Sequence, residues 1–213
     1  MKLLIATNNH HKIGELQEIL ADLPLILTTP SAEGLTLDPE ETGLTFEENA
    51  IIKAEAFAAA SGLLTLADDS GLEVDALGGE PGVYSARYGN TAKDDHPGRY
   101  QIVLDKLAAL NVPWEQRTAR FRCVMALATP ERLLGTVEGK GEGLVAYEPK
   151  GSGGFGYDPI FFVPEFNQTL AQVPSAQKHS ISHRGRAARA AVELIEKMVR
   201  DGELKIEERI EPC

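Results

Sequence analysis

Two aspartates in succession, Asp68 and Asp69, close the apolar run Leu63-Leu64-Thr65-Leu66-Ala67 and are followed at once by Ser70-Gly71. A run of this length bounded by Gly62 and Gly71 reads as a buried strand ending in paired negative charge, and strand ends are where α/β proteins bind ligands. Adjacent carboxylates repel one another and lose hydration where a sheet meets its covering layer. A fold that buries them must bring up a cation, a proton or several N–H donors. The alternative is a turn, with one acid solvated and the other capping a backbone N–H.

Around this segment strands and helices alternate. Lys2 to Ala6 is β-rich and leads through the polar loop Thr7-Asn8-Asn9-His10-His11-Lys12 into a helix with Ile13, Leu16, Ile19 and Leu20 on one face. Leu25 to Thr28 reads as a second strand. Thr45 with Glu48 three residues on is a capping-box pattern, opening an alanine-rich helix that runs to Gly62. Gly78-Gly79-Glu80-Pro81-Gly82 is a turn, and a polar segment from Gly89 to Pro97 precedes a helix bearing Ile102, Val103, Leu107 and Leu110. Thr118 to Ala128 and Leu133 to Val145 pattern as a long hairpin. A glycine-rich loop, a strand over Pro159 to Val163 and a helix carrying Ala187, Ala191, Leu194, Ile195 and Met198 complete the order. The expected fold is α/β: a mixed twisted central sheet with flanking helices, in two lobes around an active-site cleft.

With 213 residues, 43% of them hydrophobic, the chain can bury a sizeable core without a disulfide framework. Of its two cysteines, Cys123 lies in an apolar run and Cys213 is the last residue, which points to a reducing, cytoplasmic setting. No stretch approaches the ~20 apolar residues of a membrane span, and the opening apolar run ends at Ala6, too short for a signal peptide. A net charge of −11 argues against nucleic acid as a partner and makes local basic clusters informative. No acid occurs between Glu165 and Glu193, whereas Lys178, Arg184, Arg186 and Arg189 all do. That island is a candidate anion site or a solvated helix face.

Three further segments carry chemistry. The start of the first helix offers N–H groups and partial positive charge, to which Thr7, Asn9 and Lys12 add a hydroxyl, an amide and a cation; this suits a triphosphate or simply caps the helix. In Gly151-Ser152-Gly153-Gly154-Phe155-Gly156-Tyr157-Asp158, aromatics among small residues offer stacking faces for a base, or a turn packing its own rings. Lys178 to Arg186, just before the last helix, supplies donors suited to carbonyl oxygens, including His183 and Arg184.

Taken in order, Thr7–Lys12, Glu41–Ala50, Ala67–Leu72, Gly78–Tyr88, Gly154–Phe161 and Ser182–Gly185 resemble the inosine/xanthosine triphosphate pyrophosphatases, over roughly residues 2 to 200. The resemblance implies one pyrophosphatase domain over 1–200 with a C-terminal extension, 201–213, that is either a last strand or disordered. It implies hydrolysis of non-standard purine triphosphates (ITP, dITP, XTP) to the monophosphate and pyrophosphate, with Mg2+, in a homodimer. Asp69 then activates water and binds metal, with Asp68 alongside and Glu40 or Glu41 completing the metal site. Thr7, Asn8, Asn9, His10, His11, Lys12, Lys53, Ser70 and Lys178 fall to the phosphates and their surroundings. Phe155, Gly156, Tyr157, Asp158, His183 and Arg184 fall to the base. Two departures stand out: Asn8 where relatives carry glycine, and Pro174, which should leave any helix nearby short or broken. A nucleotide-binding module without catalysis and a phosphotransferase with a phospho-aspartate intermediate are the competing classes.

Overall fold

The computed structural model describes residues 1–21, 23–92 and 94–205. Residues 206–213, most of the expected C-terminal extension, lie outside the described residues. Seven strands form one mixed sheet in the order β2-β1-β3-β4-β5-β6-β7. They are β1 (Lys2–Ile5), β2 (Ile26–Thr28), β3 (Leu64–Val74), β4 (Thr118–Ala128), β5 (Leu133–Val145), β6 (Phe161–Val163) and β7 (Gln168–Thr169). β1 runs parallel to β2 and to β3, and β6 is antiparallel to both β5 and β7. The helices are α1 (His10–Ile19), α2 (Phe46–Ser61), α3 (His96–Ala109), α4 (Ser175–Ile181) and α5 (His183–Arg200). None of them is long and apolar enough to cross a membrane.

The chain forms two compact units, each assembled from separated stretches. The first takes residues 1–69, 124–138 and those from 187 on; the second takes 70–123 and 139–186. In the first, β1 and the first half of β3 are buried on both faces, as the near-continuous apolar runs of parallel strands require. Leu16, Ala50, Ala54 and Phe57 on the helices, with Ala191 and Ile195 of α5, are buried too. In the second unit Leu72, Val74, Val103, Leu107, Phe121, Val145, Tyr157, Ile160 and Phe161 make one hydrophobic cluster.

α2 begins as its sequence dictates: Thr45 accepts from the Glu48 N–H at 3.1 Å and Glu48 accepts from the Thr45 N–H at 3.1 Å, a complete capping box. Gly62 ends it in the left-handed conformation. β3 departs from expectation. The strand does not stop at the aspartates but continues through Asp68, Asp69, Ser70 and Gly71 to Val74. Gly71 is not a turn residue: a Cβ there would fall within contact distance of Ser85 Oγ and 2.6 Å from the Gly82 carbonyl oxygen. The glycine serves a close backbone approach, a demand set by a segment more than ten residues away. Two smaller corrections concern the last third. The strand expected over Pro159 to Val163 starts only at Phe161, because Asp158–Ile160 forms a 3-10 turn with proline in its first positions. Of the donors expected just before the last helix, Lys178 does precede it, within the short helix α4, whereas His183 and Arg184 lie in the first turn of α5 itself. Pro174 sits at the N-cap of α4 and fixes its start, and the helix, seven residues long, stops where Ser182 turns extended.

Candidate active site

In the first unit α2 aims Lys53 at the paired aspartates. Its ammonium lies 3.0 Å from Asp69 Oδ1 and 2.6 Å from Glu41 Oε1. One turn earlier on the same helix, the fully buried Asn49 uses both ends of its amide. Its Oδ1 accepts from the Gly43 N–H at 2.7 Å and its Nδ2 donates to Asp69 Oδ2 at 3.4 Å. The loop bearing Glu41 is thus tied to the aspartate by two residues of one helix. Lys12, two residues into α1, meets Asp68 Oδ2 at 3.0 Å. Three carboxylates, Asp68, Asp69 and Glu41, therefore face two ammoniums, and the group keeps one net negative charge.

Asp68 and Asp69 are 2% and 6% exposed, so solvent screens these charges poorly. Burial pushes the Asp69 carboxyl above the ordinary carboxylate range, against the pull of Lys53 and Lys12. Burial also works against the charged form of Lys53, but Asp69, Glu41 and Asp68 outweigh it and hold the ammonium's pKa above its usual value. A carboxylate raised in this way is a stronger base than one in water, and lifted acids are a common mark of catalytic sites.

The loop residues before α1 fare differently. Asn9 spends its side chain on the helix N-cap, accepting from the His11 and Lys12 N–H groups, and Thr7 Oγ1 accepts from the Asn9 N–H. Asn8 donates to the Leu37 carbonyl at 2.9 Å, while His10 and His11 face solvent. Of the two acids weighed for the metal, Glu40 is exposed and Glu41 is the one that reaches Lys53. Among the described residues no three His, Cys, Asp or Glu side chains stand in metal-holding geometry.

The second unit gathers a different set. Asp158, 3% exposed, accepts from Lys178 Nζ at 2.6 Å and from the Phe155 N–H at 2.9 Å. That carboxylate bends the glycine-rich loop. Gly154, at φ +68°, has no room for a Cβ, which would come within 2.9 Å of the Asp158 carboxyl carbon. Phe155 is left half-buried, with Lys178 Nζ 5.4 Å and Arg184 Cζ 5.5 Å from its ring centre. Arg184, itself 2% exposed, donates to Ser70 Oγ at 2.9 Å. His183 stacks on Phe121 at 4.5 Å and 12°.

Tyr157 differs from the role expected of it. It belongs to the hydrophobic cluster, 4% exposed, and its hydroxyl donates to the Ser85 carbonyl at 2.8 Å, so it braces the loop, and of the loop's two aromatics it is Phe155 that offers a ring face. Gly156, at φ +66°, provides the backbone turn between the two rings. The basic island divides: Lys178 and Arg184 are buried beside Phe155, whereas Arg186 and Arg189 are exposed, with Arg186 donating to the Lys140 carbonyl. Sequence reasoning missed His96, whose ring centre is 6.3 Å from that of Phe155 and whose Nδ1 lies 2.6 Å from Arg99 Nη2. No pattern in the chain signals that contact. Asn49 was legible only as sharing a helix face with Lys53.

The chain matches the model of the Ham1 family over residues 3–194. It is 49% identical over 200 residues to a dITP/XTP pyrophosphatase of Desulforamulus reducens, covering 93% of this chain and 97% of that one. It is 48% identical over 193 residues to a dITP/XTP pyrophosphatase of Bacillus subtilis, covering 91% and 96%. Among solved structures, the Ham1 protein of Staphylococcus aureus superposes with a TM-score of 0.79 at 40% identity, over 96% of this chain and all of that one. A HAM1 protein from Coxiella burnetii gives 0.82 at 40% identity, over 92% and 99%.

Proposed function

The chain belongs to the Ham1 family, and on that footing we propose that it hydrolyses non-standard purine nucleoside triphosphates (dITP, ITP and XTP) to the monophosphate and pyrophosphate. The observation that carries this reading is the buried Asp69, lifted in basicity and held from both sides by Lys53 and Asn49. Binding alone needs no such arrangement, whereas a water nucleophile needs a placed base.

Asp69 takes the proton of a water whose oxygen bonds to the α-phosphorus, while the bond from that phosphorus to the bridging oxygen breaks and pyrophosphate leaves with the electron pair. Lys12 and Lys53 offset negative charge on the phosphates, together with the amino end of α1. Asp68 holds Lys12 in place through their contact. Glu41 and Asp69 supply hard oxygens around one cation position, which suits Mg2+, an ion that takes one or two carboxylates and completes its shell with water and substrate phosphates. Bound there, the metal would neutralise charge on the leaving pyrophosphate.

Phe155 supplies the face on which a purine stacks, and Arg184 and Lys178 supply donors at its edge. Hypoxanthine and xanthine carry a carbonyl at the six position where adenine carries an amino group. A donor fixed there is satisfied by the former and stranded by the latter, a difference of about 1–3 kcal/mol for each such contact. From the family resemblance we also infer a homodimer, checked by light scattering.

The test is pyrophosphate release by the purified protein with Mg2+ and ITP, XTP, dITP, ATP or GTP. The reading expects ITP, dITP and XTP to exceed ATP in kcat/KM by a hundredfold or more, from two such donor contacts. Equal rates, or orthophosphate in place of pyrophosphate, would contradict it.

A further inference from the structure

We infer that Lys53 is an internal counter-cation that competes with the divalent metal for Glu41 and Asp69, so that metal enters only in company with the triphosphate. This rests on the pyrophosphatase reading above. One ammonium lies 2.6 Å from Glu41 and 3.0 Å from Asp69, and it occupies the position from which a metal would draw on the same two oxygens. A Mg2+ ion needs those oxygens at about 2.0–2.1 Å. Ammonium and metal cannot both occupy that one position between the two carboxylates.

The surroundings make this competition stiff. Asn49 ties Asp69 Oδ2 to the Gly43 N–H, fixing the Glu41 loop against the aspartate, and both Asn49 and Lys53 project from a helix secured by its capping box. The carboxylates therefore stay together whether the ammonium or a metal sits between them. With both lysines in place the cluster carries one net negative charge, so a divalent ion arriving alone would leave it net positive with every side chain no more than a quarter exposed. A metal arriving on a triphosphate brings several negative charges with it, and the balance reverses. The four-carbon stem of lysine then lets the ammonium swing from carboxylate to phosphate oxygen. Lys53 thereby holds the metal ligands in register in the free protein and passes to the substrate when the metal displaces it.

The experiment uses the full chain without nucleotide and Mn2+ as the probe, with free ion followed by electron paramagnetic resonance and binding heats by calorimetry. Lys53→Met, which keeps the length of the side chain and removes its charge, is expected to bind Mn2+ at least tenfold more tightly than the unaltered chain. Mn2+ should also raise the thermal midpoint of this variant more than that of the unaltered chain. Adding Asp69→Asn to it should abolish the gain, and Lys53→Arg should bind as weakly as the unaltered chain. Mn2+ affinity in Lys53→Met equal to or below that of the unaltered chain overturns the inference. Should Lys53→Met fail to fold by circular dichroism, Lys53→Gln carries the same expectation and the same overturning result. Pyrophosphate release from ITP by the unaltered chain is measured in parallel. If it occurs while Mn2+ affinity is unmoved by the substitution, the role of Lys53 fails and the function stands; if it does not occur, the function fails independently.

Discussion

The carboxylate cluster of the first unit and the aromatic cluster of the second are both buried and both hold two cations, yet the charges meet different partners. Around Asp68, Asp69 and Glu41 each ammonium faces a carboxylate at 3.0 Å or less. Around Phe155 the Asp158 carboxylate accepts from Lys178, Arg184 donates to the Ser70 hydroxyl, and both cations lie near the ring. The first sets three carboxylates against two ammoniums. The second presents fixed donors beside a flat apolar face. On the proposed function, chemistry at phosphorus falls to the first and recognition of a base to the second.

Substitutions that divide rate from recognition and stability bear on this contrast. The largest effect belongs to Asp69→Asn, which removes the base and keeps the shape: kcat for ITP should fall by about 10²- to 10⁴-fold with KM little changed. A comparable rise in KM at constant kcat would move Asp69 to the binding side. Next comes Asp158→Ala, which strands the buried Lys178 and loosens the glycine-rich loop. Breaking a buried pair from one side costs about 3–5 kcal/mol, and chemical denaturation should show a loss of that order. Arg184→Met should reduce the ITP to ATP ratio of kcat/KM by roughly ten- to a hundredfold, from about 1–3 kcal/mol of lost discrimination. An unchanged ratio would place base selection elsewhere.

The smallest effect lies on the surface of the second unit. Arg120 and Thr118 hold the Asp75 carboxyl below its ordinary range. A folded-state pKa below the unfolded value of about 3.9 contributes stability above that pH and loses it as pH falls through the folded value. Asp75 is largely solvated, so the contribution is under about 1 kcal/mol. Asp75→Asn should lower the thermal midpoint slightly at pH 6, with the difference shrinking as pH falls below about 3.9 and through the lower folded value.

Much of the fold was legible because its signals are local. The hairpin strands fall on Thr118–Ala128 and Leu133–Val145 as the sequence pattern predicts, and α2 starts and stops at Thr45 and Gly62 for reasons contained in a few residues. What escaped was set by distant contacts. Gly71 looked like a strand boundary because the Ser85 and Gly82 atoms that require it lie elsewhere in the chain. Tyr157 looked like a second stacking ring because nothing nearby announces its bond to the Ser85 carbonyl. In the candidate site the residue types were readable and their pairings were not: motif order named Lys12, Lys53, Asp68 and Asp69, but only the loop's path chooses Glu41 over Glu40 as the partner of Lys53.

The central claim is that water cuts this substrate at the α-phosphorus with Asp69 as its base, and hydrolysis of ITP in oxygen-18 water tests it most directly. One oxygen-18 atom should appear in IMP and none in pyrophosphate, read by mass spectrometry of both products. Label in pyrophosphate or in orthophosphate, with IMP unlabelled, would contradict it.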